Sequence, residues 1–310
     1  MNTYEIFQVD SFTRTKLRGN PAGVVPFADG LTDQQMQDIA RELNNSETAF
    51  IFDNHHEDID GQHYDVEVRF FTPTTEVPLC GHATIAAHYV RALKGLHQRG
   101  RVIQKTKAGL LPVDVTPDGD DFRITMTQST PEVSAPLSEE LICDIAQALG
   151  IKRSDVREDC PVAIASAGHA KVMVALKSEQ LLHSLAPDAA QLTAISKRIG
   201  CNGYYVFTLD ENPTDEQPFL AHGRMFAPAI GITEDPVTGN ANGPLGVYLT
   251  HFGLCSHLYE GDTFDFRIVQ GEAIKRTGTM DVHVEMAHGA PVRAQITGEA
   301  VVAFRTEMTL

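Results

Sequence analysis

Two stretches of this chain, TEVPLCGHA at residues 75–83 and TEDPVTGNA at 233–241, constrain its fold more than any single motif does. They agree at Thr75/Thr233, Glu76/Glu234, Pro78/Pro236, Gly81/Gly239 and Ala83/Ala241. Five agreements in nine arise by chance in 310 residues, so the flanks carry the argument. Just upstream, RFFTP and RMFAP align Arg69 with Arg224, Phe71 with Phe226 and Pro73 with Pro228 after a three-residue insertion. Further upstream, IARELNNSETAFIF lies opposite ISKRIGCNGYYVFT, helix facing helix and strand facing strand. Such an echo predicts an ancient duplication: two similar domains related by a pseudo-twofold axis.

The pattern along the chain is mixed. Strand-like runs YEIFQVDSF, AGVVPF, ETAFIF, YDVEVRFF, LLPVDVT and DFRITMT are interrupted by helical stretches at 32–43 and 81–95. After the proline-bearing QSTPEVSAPLSEE come helices near 138–149, 188–199 and 240–252, the strands PVAIAS, AKVMVAL, YYVFTL and PFLAHGRMF, and a strand-rich tail. Two of the helices, GHATIAAHYVRAL and NANGPLGVYLTHFG, are apolar on nearly every face and built from small residues. A helix without a polar face is buried all round, and small residues let it sit inside a curled sheet. The expected fold class is therefore α+β, with two pseudo-symmetric domains, each a mixed, barrel-like sheet around a central helix. Their expected bounds are 1–125 and 126–310, the final strand returning to the first domain.

Composition removes several function classes. A formal charge of −16 with scattered basic residues argues against nucleic acid or an anionic membrane surface as partner. No run of 18 apolar residues occurs, and MNTYEIFQVDSF reads as a strand and not as a signal peptide, which predicts a cytoplasmic protein. The five cysteines are widely spaced without a CxxC pair, so reduced thiols are expected. The densest group of histidines, DNHHEDIDGQH at 53–63, lacks metal-ligand spacing and reads as a solvated hairpin loop. No metal is expected.

In both copies a strand ending in Arg-x-Phe-x-Pro leads to a loop whose glycine opens the buried helix. The first turn of a helix has N–H groups with no internal acceptor and partial positive charge, which makes it a ready anion site. If both loops reach the interface between the halves, two helix starts can hold a small carboxylate without Lys or Arg. The bland alternative is that Pro-x-x-Gly only makes the turn, with His82 and Asn240 as N-caps. Symmetry fails at two informative places: Val77 stands opposite Asp235, and Gly203 opposite Glu47. Each half thus holds a carboxylate that its twin lacks, and carboxylates in different environments suit general acid–base work. Glu76 and Glu234, which match, read as braces of the loop. No GxGxxG after a strand, Walker loop or GxSxG elbow competes, and a cofactor-free proton transfer remains.

At these residues the chain resembles the phenazine-biosynthesis isomerase-like (PhzF-like) family and, through it, the diaminopimelate epimerase fold. The segments that carry the resemblance are VDSFTRTKLRGNPAGVV, RELNNSETAFIF, RFFTPTTEVPLCGHATIAAHYV, GRMFAPAIGITEDPVTGNANGPLG and GEAVVAFR, which together span the whole chain. The resemblance is especially close to bacterial members called isomerases by similarity. It implies a cofactor-independent isomerase with its active site in the cleft between two barrel-like domains, acting on a small carboxylate-bearing metabolite, and a homodimer. It places the catalytic glutamate of the SET motif on Glu47, the histidine of CGHAT on His82 and the aspartate of EDPVTG on Asp235. Glu47 would abstract or shuttle the proton while His82 and Asp235 orient the substrate. The N–H groups near Gly81, His82, Gly239 and Asn240 would hold its carboxylate, with Asn20 and Ser46 lining the cleft. Asn240 replaces the serine that phenazine-type enzymes have after TG. Diaminopimelate epimerase uses two cysteines near the helix starts; those places are expected here at Ala86 and Thr238, with Cys80 before the loop glycine, which disfavours a two-thiol racemase. The alternatives are a two-base epimerase or racemase using Glu47 and Asp235, and a non-catalytic carboxylate-binding protein.

Overall fold

The computed structural model describes residues 1–53, 63–97, 99–214 and 216–310. Most of the histidine-rich stretch 53–63 lies outside the described residues. Two compact units emerge: one combines Met1–Thr127 with Thr297–Leu310, the other is Gln128–Ile296.

In the first unit the elements follow as β1 (Thr3–Ser11), β2 (Asn20–Val25), α1 (Asp33–Leu43), β3 (Glu47–Phe52), β4 (Val66–Phe71), β5 (Glu76–Val77), α2 (Gly81–Leu93), β6 (Gly100–Thr106), β7 (Gly109–Asp118) and β8 (Asp121–Thr127). The second unit contains β9 (Glu132–Val133), α3 (Glu139–Ala148), β10 (Ala163–Ser166), β11 (Lys171–Ala175), α4 (Glu179–Ser184), α5 (Ala189–Ile199), β12 (Tyr204–Leu209), β13 (Phe219–Ala227), β14 (Ile232–Asp235), α6 (Gly239–His251), β15 (Thr263–Gln270) and β16 (Gly278–Ala287), then β17 (Ala290–Gly298). The last strand, β18 (Ala300–Thr309), pairs antiparallel with β1 and so belongs to the first unit.

The duplication is realised strand for strand. In the first unit β1–β2 is antiparallel, β2–β3 parallel, β3–β4 antiparallel, β4–β6 parallel, and β6–β7 and β7–β8 antiparallel, with β5 folded back on β4. The second unit repeats this with β10–β11, β11–β12, β12–β13, β13–β15 and β15–β16, and β14 folded back on β13. The central helix of each unit is enclosed by that unit's own strands: α2 packs on β1, β2, β3, β7, β8 and β18, and α6 on β9, β10, β11, β15 and β16. Every residue from Gly81 to Ala92 is buried, as the apolar, small-residue sequence of α2 requires.

The outer sheet faces are covered by amphipathic helices. Met36, Ile39 and Ala40 of α1 pack with Ile6, Val25, Phe50 and Phe71. Thr32 starts that helix with a capping box to Gln35, and Asn44 ends it in the left-handed region at φ 53°. In the second unit α3 and α5 supply Ile145, Leu149, Leu192 and Ile195 to a core with Val172, Val174, Tyr204 and Val206. The same pair of charges braces each loop: Arg69 meets Glu76 through Nε–Oε1 at 2.8 Å and Nη2–Oε2 at 2.9 Å, and Arg224 meets Glu234 at 2.9 and 2.7 Å. Such two-bond pairs fix direction as well as charge.

Two local expectations need correction. His82 and Asn240 are not N-caps; Cys80 and Thr238 are, and each helix begins at the glycine that follows. Neither cap side chain bonds a backbone N–H of its helix: the Thr238 hydroxyl donates to Asp235, and the Cys80 thiol lies against the His82 ring. Ala86 is not near a helix start but fully buried inside α2, so the residues at the two helix starts are Cys80 and Thr238.

Candidate active site

In the first unit the edge of β3 and the start of α2 bring four side chains together. Ser46 is exposed at the bend before β3, and Glu47 begins the strand, aligned with Ala22 of β2. Cys80 is extended, at φ −142° and ψ 123°, which lets the chain turn sharply into the helix. Its carbonyl accepts both the N–H and the hydroxyl of Thr84, at 3.0 and 2.7 Å. His82 lies on the first turn, its own carbonyl held by the buried Ser11 hydroxyl at 2.7 Å.

The imidazole of His82 is the hub. Its Nε2 lies 3.3 Å from Glu47 Oε2 and 3.3 Å from Ser46 Oγ, while Nδ1 lies 3.4 Å from Cys80 Sγ. The Cys80 thiol also bonds to Glu47. One S–H proton can serve only one of these partners at a time. Burial raises the pKa of Glu47 above the ordinary carboxylate range, and bonds from Cys80 and Ser46 oppose this only in part. Glu47 nevertheless keeps 18% of its side-chain surface, so it combines a desolvated carboxyl with access from solution. Desolvation of this kind is how a carboxyl is made a stronger base and suited to acid–base work.

Glu47, Cys80 and His82 each offer a ligand atom within 4.8 Å of the others, and this donor set could hold a soft divalent cation. The start of α2 carries partial positive charge, which disfavours a cation and favours an anion there. Asn20 is fully buried at the head of β2, paired in register with Ser11. Gly81, the first residue of α2, is buried and stands between Cys80 and His82 in the chain.

The second unit builds the start of α6 differently. Asp235 is buried, accepts the Thr238 hydroxyl, and closes β14. Gln270 Oε1 accepts the Thr238 N–H at 3.1 Å, its Nε2 donates to the Asp235 carbonyl at 2.9 Å, and Asn242 Nδ2 reaches the same Oε1 at 3.0 Å. Tyr205 donates to Asn242 Oδ1, and Gln128 Nε2 holds the Gly239 carbonyl at 2.8 Å. Gly239 is buried and Asn240 half-buried on the first turn. Of these side chains Gln128 keeps its buried Oε1 without a hydrogen-bond partner, while the other bonds tie the start of α6 to β12 and β15. Sequence reasoning missed Cys80 as a member of the Glu47 cluster, although it stands two residues before His82 at a helix start. Gln270, Tyr205 and Gln128 carry no local signal, since the first two arrive from the strands β15 and β12 and Gln128 from the residue just after β8.

Comparison with known proteins places the chain. The sequence profile described as "Phenazine biosynthesis-like protein" (PhzC-PhzF) matches residues 9–306. The chain belongs to the PhzF family. An uncharacterized isomerase of Clostridium acetobutylicum is 52% identical over 99% of this chain and 98% of its own. One from Escherichia coli K12 is 45% identical, again over 99% and 98%. With these relatives the chain stands as an isomerase of the PhzF family. Among solved structures, a phenazine biosynthesis protein of the PhzF family from Bacillus anthracis superposes with a TM-score of 0.88 at 28% identity, covering 100% of both chains. A hydroxyproline epimerase from Agrobacterium vitis superposes at 0.58 with 14% identity, over 99% of this chain and 93% of its own, and shares the fold. Among the described residues no helix is long and apolar enough to cross a membrane.

Proposed function

We propose that this member of the PhzF family is a cofactor-independent isomerase that moves a proton on a small carboxylate-bearing metabolite, with Glu47 as the proton carrier. The observation that carries the reading is the desolvated but accessible Glu47 carboxyl, bonded to Cys80 and Ser46 and in contact with His82. Burial raises its pKa and so narrows the energy gap between its ionised and protonated forms, which helps it take a proton and return it. His82 steadies the ionised form and orients the carboxyl. The first-turn N–H groups of Gly81 and His82 supply donors for a substrate carboxylate, with Asn20 and Ser46 as further lining groups. Asp235 enters the proposal as a second carboxylate of the reaction, with Gly239 and Asn240 as further donors. The free cysteines fit a reducing cytoplasm, and the protomers are expected to pair as a homodimer.

The experiment is incubation with candidate carboxylate metabolites in heavy water, followed by NMR. The wild type should place deuterium at one carbon of a substrate and change its constitution; an epimerase would change only optical rotation. Glu47→Gln should slow the exchange by about 10²–10⁴-fold, the usual worth of a positioned acid–base group. Exchange that survives this substitution at full rate would sink the assignment, and saturable binding without exchange would make the protein a binder.

A further inference from the structure

The twin of Glu47 is Gly203, and the space left by its missing side chain is occupied. A β-carbon placed on Gly203 would lie 2.3 Å from Cδ of Lys171, 2.8 Å from Cε and 3.5 Å from Nζ. No side chain fits at 203 unless Lys171 moves. The strand registers give the reason. In the first unit the parallel pair β2/β3 sets Ala22 against Glu47 and Gly23 against Thr48. In the second unit the parallel pair β11/β12 sets Val172 against Tyr204, the residue after Gly203, and the Val172 N–H donates to the Gly203 carbonyl at 2.8 Å. Lys171 therefore stands where Ala22 stands, and its side chain lies across the place of the missing carboxylate. One unit has an anion at this point of the repeat, and the other has a cation.

The setting of that cation is unusual for a structural lysine. Lys171 is 9% exposed, and among the described residues its ammonium makes one hydrogen bond, to the Ala170 carbonyl at 3.2 Å, and no ion pair. An ammonium carries three donors, so the remaining capacity is uncommitted. Burial lowers its pKa below the usual lysine range, and the nearby Cys201 and Asp235 oppose the shift only in part. Asp235 is itself bonded to Thr238, the residue that caps α6. A buried ammonium with no carboxylate in direct contact is costly to keep, and an incoming anion would complete it.

We propose that Lys171 is an anion-binding residue that receives a carboxylate group, and that Gly203 is glycine to give it room. The inference rests on the reading of the protein as acting on carboxylate-bearing metabolites, yet its test needs no turnover. Acetate is titrated into the full chain while the Gly203 and Gly239 amide resonances are followed by NMR. The wild type should show saturable shifts at both amides. Lys171→Met, which keeps the stem and removes the charge, should weaken the apparent affinity by at least about tenfold, as expected for loss of one charge-assisted contact. It should also raise Tm, because it removes a buried charge that has no direct ion-pair contact. Gly203→Ala, which displaces the lysine without deleting it, should weaken acetate binding too and carries the test if Lys171→Met folds poorly. The readout is equilibrium binding without turnover, so its failure and the failure of the proton-transfer reading are told apart. Absence of saturable shifts in the wild type, or equal affinity in Lys171→Met, would overturn the assignment.

Discussion

Replacing Arg224 by methionine tests whether the duplicated Arg/Glu pair holds each loop, and the two copies predict different costs. Arg224 and Glu234 are each 9% exposed at the side chain, joined by two bonds, and Nη1 of Arg224 also holds the carbonyls of Leu182 and Leu185 at 3.0 and 3.2 Å. Methionine keeps most of the volume but leaves a buried carboxylate and two carbonyls without their donor. Breaking a buried pair from one side costs about 3–5 kcal/mol. The twin is wetter: Arg69 is 21% exposed, Glu76 keeps Lys107 as a second cation, and Asp33 on the far side of Arg69 is 79% exposed. Arg69→Met should therefore cost only about 1–2 kcal/mol. At about 2–4 °C per kcal/mol for units of this size, thermal melts should fall by roughly 6–20 °C for Arg224→Met and roughly 2–8 °C for Arg69→Met. Equal falls, or a fall under about 2 °C for Arg224→Met, would refute the claim that burial makes the second brace the stronger.

Glu47→Gln should stabilise the fold at high pH. The folded pKa of Glu47 is raised by burial, so the native state holds its proton more tightly than the unfolded chain, and stability is lost as pH rises from the ordinary 4.5 through the folded value. Thermal melts across pH should show the variant above the wild type at pH 8 and level with it below about pH 4; a gain independent of pH would contradict the desolvation argument. Gly243→Ala should destabilise by about 1–3 kcal/mol in urea titrations through overpacking. A β-carbon there would lie 1.7 Å from Gln128 Oε1 and would push away the side chain that holds the Gly239 carbonyl. An unchanged midpoint would show that Gln128 moves freely.

The class of fold was legible because it is written in features that survive without context. The all-round apolar helices at 81–95 and 240–252 prove to be the enclosed helices Gly81–Leu93 and Gly239–His251, and the amphipathic stretch 32–43 is Asp33–Leu43. Less visible were β6, whose sequence GRVIQKT mixes charge with short apolar alternation, and α4, which at six residues is too short to show a period. Caps were misread because the side chains that satisfy the α6 start come from Gln270 and Gln128, far away in sequence. At the candidate site, Ser46, Glu47 and His82 do meet, as the SET and CGHA segments suggested. Cys80 joins them only because its extended backbone turns the thiol toward the imidazole. Lys171 was a single charge in the apolar run AKVMVAL, and its meaning depends on a parallel strand register that no local pattern encodes.

The ionisation of the Glu47 carboxyl decides whether it can carry the proton. With 13C-labelled glutamate in the full chain, and Glu47→Gln to assign the resonance, its side-chain carboxyl can be titrated directly by NMR. The predicted result is a midpoint clearly above the ordinary glutamate value of 4.5, rising further in Cys80→Ala, where a donor to the ionised form is lost, and restored by Cys80→Ser. A midpoint at or below the ordinary value would contradict the claim that Glu47 is poised to carry the proton.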